Sequence, residues 1–233
     1  MHIEESYTYA LHQLFENRQS SLKDKKPYQS NRALEMKHNM ICQRLADPTQ
    51  ETNRTLEILS SLPYTSFGVR LNSNKDLYFV GMTKAIYFLD FDKYKNILCG
   101  NLGKYAVCIP ANSILYHSLE DFHFVRFGRA NCPDRHFHHI AVRDPRQRNP
   151  LDFDTSTCWA SIGPLMLNAL ELVDMALIFE AAYMFLTRID MNSRLTTPIY
   201  TGMTLEQYAI ATNQEVMPLY QKIFGENFVD DLF

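Results

Sequence analysis

The sequence predicts an α+β fold: an antiparallel meander sheet packed on a buried helix, with helical extensions at both ends. Hydrophobic spacing is helical over residues 1–60, changes at Thr65 to short runs rich in aromatic and β-branched residues, and turns helical again at Pro164. The short runs are joined by links too brief for the crossover helices of a parallel sheet, so consecutive strands should pair as hairpins. With 233 residues, 46% of them apolar and 21% charged, the chain can bury one generous domain.

Taken in order, Ile3–Phe15 reads as an amphipathic helix and Ser20–Ser30 as a charged loop. Asn31–Leu45 carries Leu34, Met40, Ile41 and Leu45 at helical spacing and is expected to stop at Asp47-Pro48. A third helix is expected over Glu51–Leu62, ending at Pro63. The runs SFGVRL, DLYFVG, KAIYFLDF, KYAVCI and FHFVRF follow, with turns expected at Asn72-Ser73-Asn74 and Gly100-Asn101-Leu102-Gly103. From these, about four strands should build a sheet within 65–127. A single helix over 164–186 should cover one face of it, and its Asn168, Glu171 and Asp174 recur every third residue as one polar stripe. Three acids and a longest unbroken apolar run of six residues, Ala181–Leu186, argue against a membrane span there. Arg188–Pro198 reads as a loop, and Thr204-Leu205-Glu206-Gln207 as a capping box opening a C-terminal helical pair. The expected organisation is a helical extension at 1–60, an α+β core at 61–200 and C-terminal helices at 201–233, in one compact domain.

Charge and motifs exclude several classes. Lys+Arg 23 against Asp+Glu 26 gives a net charge of −3, so no global basic field favours nucleic acid. Neither a Walker-type nor a dinucleotide-type glycine motif is present. The start, MHIEESYTYA, lacks the basic residues and apolar run of a signal peptide, and five cysteines without a C-x-x-C leave at least one thiol free of any internal disulfide. A reducing cytoplasm is the expected location.

The chemistry-bearing stretch lies between the sheet and the buried helix. GRANCPDRHFHHIAVRDPRQRNPLDFDTSTCW has little periodicity but holds three of the eight histidines, two of the five cysteines and the only tryptophan. Irregular stretches of this length within compact domains are commonly functional. Cys158 precedes a helix start, where the helix dipole and unpaired N–H groups favour the nucleophilic thiolate. Its alternative is a small buried hydrophobe, the reading given also to Cys42, Cys99 and Cys108. His136, His138 and His139 could bind zinc with Cys132, Asp134 or Asp144, though no second ligand cluster accompanies them. Otherwise His138 and His139 could move protons or stabilise an oxyanion beside Cys158, and one of them is expected on the same side of the domain as that thiol. Six arginines from Arg126 to Arg148, against Asp134 and Asp144, make this stretch locally basic.

The order of these motifs resembles the catalytic half of ubiquitin-conjugating enzymes, and most closely their divergent bacterial and phage members. Phe137-His138-His139-Ile140 stands where the family's His-Pro-Asn segment precedes its thioester-forming cysteine. Cys158-Trp159 stands for that cysteine, and Arg188–Pro198 for the later polar loop. The likeness spans roughly 105–200, and it departs from the family where His139 replaces the oxyanion-stabilising Asn and His138 the Pro. The resemblance implies a transferase without metal or organic cofactor, carrying a ubiquitin-like protein as a thioester on Cys158. An activating enzyme would load it, and a protein target would accept the modifier, with His139 in doubt as the donor for the transfer step. The N-terminal helices would then serve docking or homo-oligomer formation. Two other classes compete: a non-catalytic interaction or scaffold protein of the same fold, and a His-ligated metal hydrolase. The first would bury Cys158 and the second would carry metal.

Overall fold

A computed structural model describes residues 1–23, 32–91, 97–119, 122–127, 136–137, 140–141, 159, 162–187, 201–216 and 218–219. A two-residue strand, β1 (His2–Ile3), leads into α1 (Glu5–Lys23), then α2 (Arg32–Arg44) and α3 (Pro48–Ser61). α1 runs past Phe15 to Lys23, because Leu22 extends its buried stripe of Tyr7, Leu11, Leu14 and Phe15. Asp47-Pro48 closes the α2 pattern and also opens α3. The Asp47 carboxylate accepts from the Thr49 and Gln50 amides, both at 3.0 Å, while Pro48 occupies a first-turn position that has no use for its missing N–H.

β2 (Tyr64–Leu71), β3 (Leu77–Thr83), β4 (Ile86–Phe91), β5 (Ile97–Pro110) and β6 (His123–Phe127) pair antiparallel, as the short links require. The path runs β1-β2-β3-β5-β4, with β6 and a short β9 (Thr201–Gly202) on the other edge of β5, and β1 adds the one parallel pairing among the described residues. The chain is thus mixed α+β with an antiparallel meander. Asn72-Ser73-Asn74 lies in the β2–β3 turn, where the Asn72 side chain accepts from the Asp76 amide at 2.8 Å. Gly100–Gly103 does not turn: it lies inside β5, whose first half pairs β4 and whose second half pairs β3 and β6. Gly103, at φ 86, and the register shift at Ile86/Tyr87 mark the irregularity that a turn-rich sequence leaves in this long strand.

Alternation along the strands buries both faces. Phe79, Val107 and Phe124 enter the main core, while Tyr78, Ala106, Cys108 and Val125 form a smaller cluster on the other side. Only one face receives α1 and α6 (Met175–Thr187). There Phe179 stacks edge-on against Tyr64 and Phe67, at 5.4 and 5.0 Å between ring centroids, and Tyr7 contacts Phe67 and Phe79, both at 5.5 Å. The rings close over Gly81, where a Cβ would lie 2.8 Å from Phe179 and 2.9 Å from both Phe67 and Tyr64. The Tyr64 hydroxyl donates to the Phe179 carbonyl at 2.8 Å.

The single helix expected over 164–186 is two helices, α5 (Gly163–Leu172) and α6. Val173 ends α5 in the left-handed region, at φ 53, and Asp174 starts α6 by accepting from the Leu177 amide at 3.0 Å. The polar stripe is a docking strip for α2. Lys37 donates to Glu171 and to Asn168, and Arg44 meets Asp174 at 3.6 Å. α4 (Ala111–Tyr116) follows β5 directly, and α7 (Leu205–Thr212) opens with the expected capping box of Thr204 and Gln207. No helix among the described residues is long and apolar enough to cross a membrane.

Candidate functional site

Of the predicted site, the structure describes the anchor and not the nucleophile. Cys158, His138 and His139 lie outside the described residues, as do Cys132, Asp134, Asp144 and Arg188–Pro198. His136 falls in β7 (His136–Phe137), which pairs with β8 (Ile140–Ala141). Among the described residues no group of three or more His, Cys, Asp or Glu side chains could hold a metal ion; of the histidines weighed as zinc ligands, His138 and His139 lie outside those residues.

Trp159, next to Cys158, is 6% exposed and is held from several sides. Its ring packs against Phe122 at 5.0 Å, Phe124 at 5.8 Å and Phe185 at 4.9 Å, so β6 and α6 both grip it. Its indole N–H donates to the Leu119 carbonyl at 3.3 Å, which satisfies the one polar atom of a buried tryptophan. Its own carbonyl accepts from the Ile162 amide at 3.0 Å, and α5 begins one residue later. Gly163 allows this turn to close: a Cβ there would stand 3.3 Å from the Trp159 Cβ. Trp159 thus sits in the core four residues before the N-terminus of α5.

The described thiols differ in surroundings. Cys108 is buried in β5, and desolvation pushes its thiol up to about 12 against a smaller opposing pull from Arg70. Cys99, also in β5, donates to the Met203 carbonyl at 3.2 Å, and burial followed by the nearby Glu206 charge raises it too. Both are core filling, as expected. Cys42 is not wholly so: it sits half-buried on α2 at the rim of the core, with the His38 Nε2 3.4 Å from its sulfur. The i, i+4 spacing of His38 and Cys42 in a predicted helix was the available signal for this pair.

A second polar centre was not foreseen. Arg44 donates to the carbonyls of Leu172 and, at 3.0 Å, of Val173, taking up orphan acceptors at the end of α5. Its Nε lies 2.9 Å from Glu51, an ion pair by distance with the N–H aimed away from the carboxylate. Glu51 is 4% exposed, and Arg54 reaches it at 3.1 Å. Burial nevertheless dominates, raising the Glu51 carboxyl above the usual range against the pull of both arginines. This centre joins α2, α3, α5 and the start of α6 through Arg44, Glu51, the Leu172 and Val173 carbonyls and Asp174.

An apolar groove lies between α1 and α4. Val69, Leu77 and Phe79 form its floor in a cavity of about 390 Å³, and Tyr9 on its wall is 69% exposed. No family model, no curated protein and no solved structure matches this chain.

Proposed function

We propose that this chain is a ubiquitin-conjugating-like carrier that holds a ubiquitin-like modifier as a thioester on Cys158 and passes it to an acceptor. The observation that carries the reading is the anchoring of Trp159 between β6 and α6, just ahead of α5. Trp159 is the covalent neighbour of Cys158, and the pair precedes a helix start in the sequence, where the dipole and free amides favour thiolate. The meander sheet with α6 on one face supports the same reading, since the family resemblance implies that layering. In the loading step the Cys158 thiolate attacks the activated C-terminal carbonyl of the modifier. The C–S bond forms as the bond to the activating enzyme breaks, and the departing thiolate takes up a proton. In the transfer step an acceptor amine attacks the thioester, with His139 as the candidate donor to the tetrahedral oxyanion.

Ubiquitin charged with ATP and a ubiquitin-activating enzyme, followed by non-reducing mass spectrometry, tests the loading step. The expected result is a thiol-labile adduct on the wild-type chain, lost in Cys158→Ala and converted to a stable oxyester in Cys158→Ser. An adduct undiminished in Cys158→Ala overturns the mechanism. The groove between α1 and α4, with the exposed Tyr9 beside it, favours a second reading, a non-catalytic interaction protein of the same fold. Protection of Cys158 from thiol reagents in the folded chain would select it.

A further inference from the structure

We propose that Cys42 is a thiolation site, a thiol–imidazole pair that exchanges with the disulfides of small anionic thiols. Cys42 and His38 lie one turn apart on the same face of α2, and Sγ stands 3.4 Å from Nε2, within proton-transfer reach. The thiol is half-buried and lines a cavity of about 340 Å³ bounded also by Gln19, Leu22, Lys23 and Ala46. Two cations belong to the opposing helix α1. Lys23 lines the cavity itself, and the half-buried Arg18 is close enough for its guanidinium and the Cys42 sulfur to act on each other. α1 is fixed against the end of α2 by the Gln19 side chain, which donates to the Ala46 carbonyl at 2.9 Å. A thiol beside an imidazole base and next to positive charge has the surroundings of a reactive cysteine, whereas Cys108 and Cys99 have those of inert ones. Positive charge at the cavity selects for an anionic partner.

The disulfide is itself the oxidant, and the exchange balances. The imidazole Nε2 takes the proton from Sγ, and the thiolate attacks one sulfur of RS–SR. The S–S bond of the reagent breaks, and RS⁻ leaves with its electron pair and receives the proton from His38. The products are the Cys42–S–SR mixed disulfide and RSH.

The experiment uses the full chain carrying Cys158→Ser, so that the site is tested independently of the carrier reading. It is incubated at pH 7 with glutathione disulfide, which is anionic, or with cystamine, which is cationic, and each cysteine is mapped by mass spectrometry. Cys42 should form the glutathione adduct at least about 10²-fold faster than Cys108. His38→Gln should slow it by about tenfold or more. Glutathione disulfide should outpace cystamine at Cys42, and Lys23→Gln should narrow that preference. Equal protection of Cys42 and Cys108, an unchanged rate in His38→Gln, or faster reaction with cystamine in the unaltered helix would each overturn the proposal.

Discussion

Helices α6 and α2 are both fastened to the body of the protein, and they are fastened by different forces. α6 drives Phe179 among Tyr7, Tyr64 and Phe67 above Gly81, a contact made of rings with almost no water left at it. α2 buries only Ile41 within its length and leaves Leu34, Met36 and Met40 exposed. It is held by Lys37 on the stripe of α5 and by Arg44 on the α5 carbonyls, Glu51 and Asp174. Ring packing offers no ion pair to screen, whereas a charge-held helix is weakened by salt and responds to pH. The cysteines follow the same division: those of β5 are sealed in the sheet, and that of α2 stays within reach of solvent.

The largest effect should come from emptying the ring cluster. Phe179→Ala should cost about 3–5 kcal/mol, and Gly81→Ala about 1–3 kcal/mol by forcing the rings apart, both read by denaturant unfolding. Arg44→Met should cost about 3 kcal/mol, because it leaves Glu51 buried beside fewer cations, while Glu51→Gln should cost far less. Equal losses from those two variants would contradict the assignment of burial as the dominant influence on Glu51.

The pH dependence of stability sharpens the comparison. Glu51 has a carboxyl raised by burial, so its contribution is fullest below the ordinary glutamate range and is lost as pH rises through the folded-state value. Glu4 behaves oppositely. Its two oxygens accept from Arg70, both at 3.0 Å, and that hydrogen bonding lowers its carboxyl, so its contribution is present above the ordinary range and lost as pH falls through the folded-state value. Unfolding free energies measured across the acidic range should lose a decline with rising pH in Glu51→Gln and lose a rise in Glu4→Gln.

A smaller test separates two tyrosines of one cluster. Tyr64→Phe should cost about 1 kcal/mol through loss of its hydrogen bond to the Phe179 carbonyl. The buried Tyr7 hydroxyl has no hydrogen-bond partner among the described residues, and its removal in Tyr7→Phe should be neutral or stabilising. Smallest of all, Lys37→Met should cost under about 1 kcal/mol, and that loss should vanish in concentrated salt.

Much of this layout was legible in the sequence because it rests on period. Alternation around Phe79 and Phe124 gave the strands, and Thr204 with Gln207 marked the start of α7. What period cannot show is a local exception. Val173 breaks the predicted long helix by adopting a left-handed conformation that a β-branched residue seldom takes, and its neighbour Asp174 is compatible with either a mid-helix or a capping position. Glycines at 100 and 103 looked like a turn, yet β5 runs through them because partners on both edges hold it extended. At the site, the Cys158-Trp159 pair was visible, and the structure adds why the tryptophan is there. Arg44 was invisible as a centre, since its partners at Glu51, Leu172 and Asp174 come together only in the folded chain.

The most direct measurement is competitive alkylation of the native protein by iodoacetamide, followed cysteine by cysteine by mass spectrometry. Cys158 should react first and Cys42 next, both at least about 10²-fold faster than Cys99 and Cys108. Protection of Cys158 to the level of Cys108 would contradict the carrier reading, for the chain would then have no accessible nucleophile at the position where the modifier must be held.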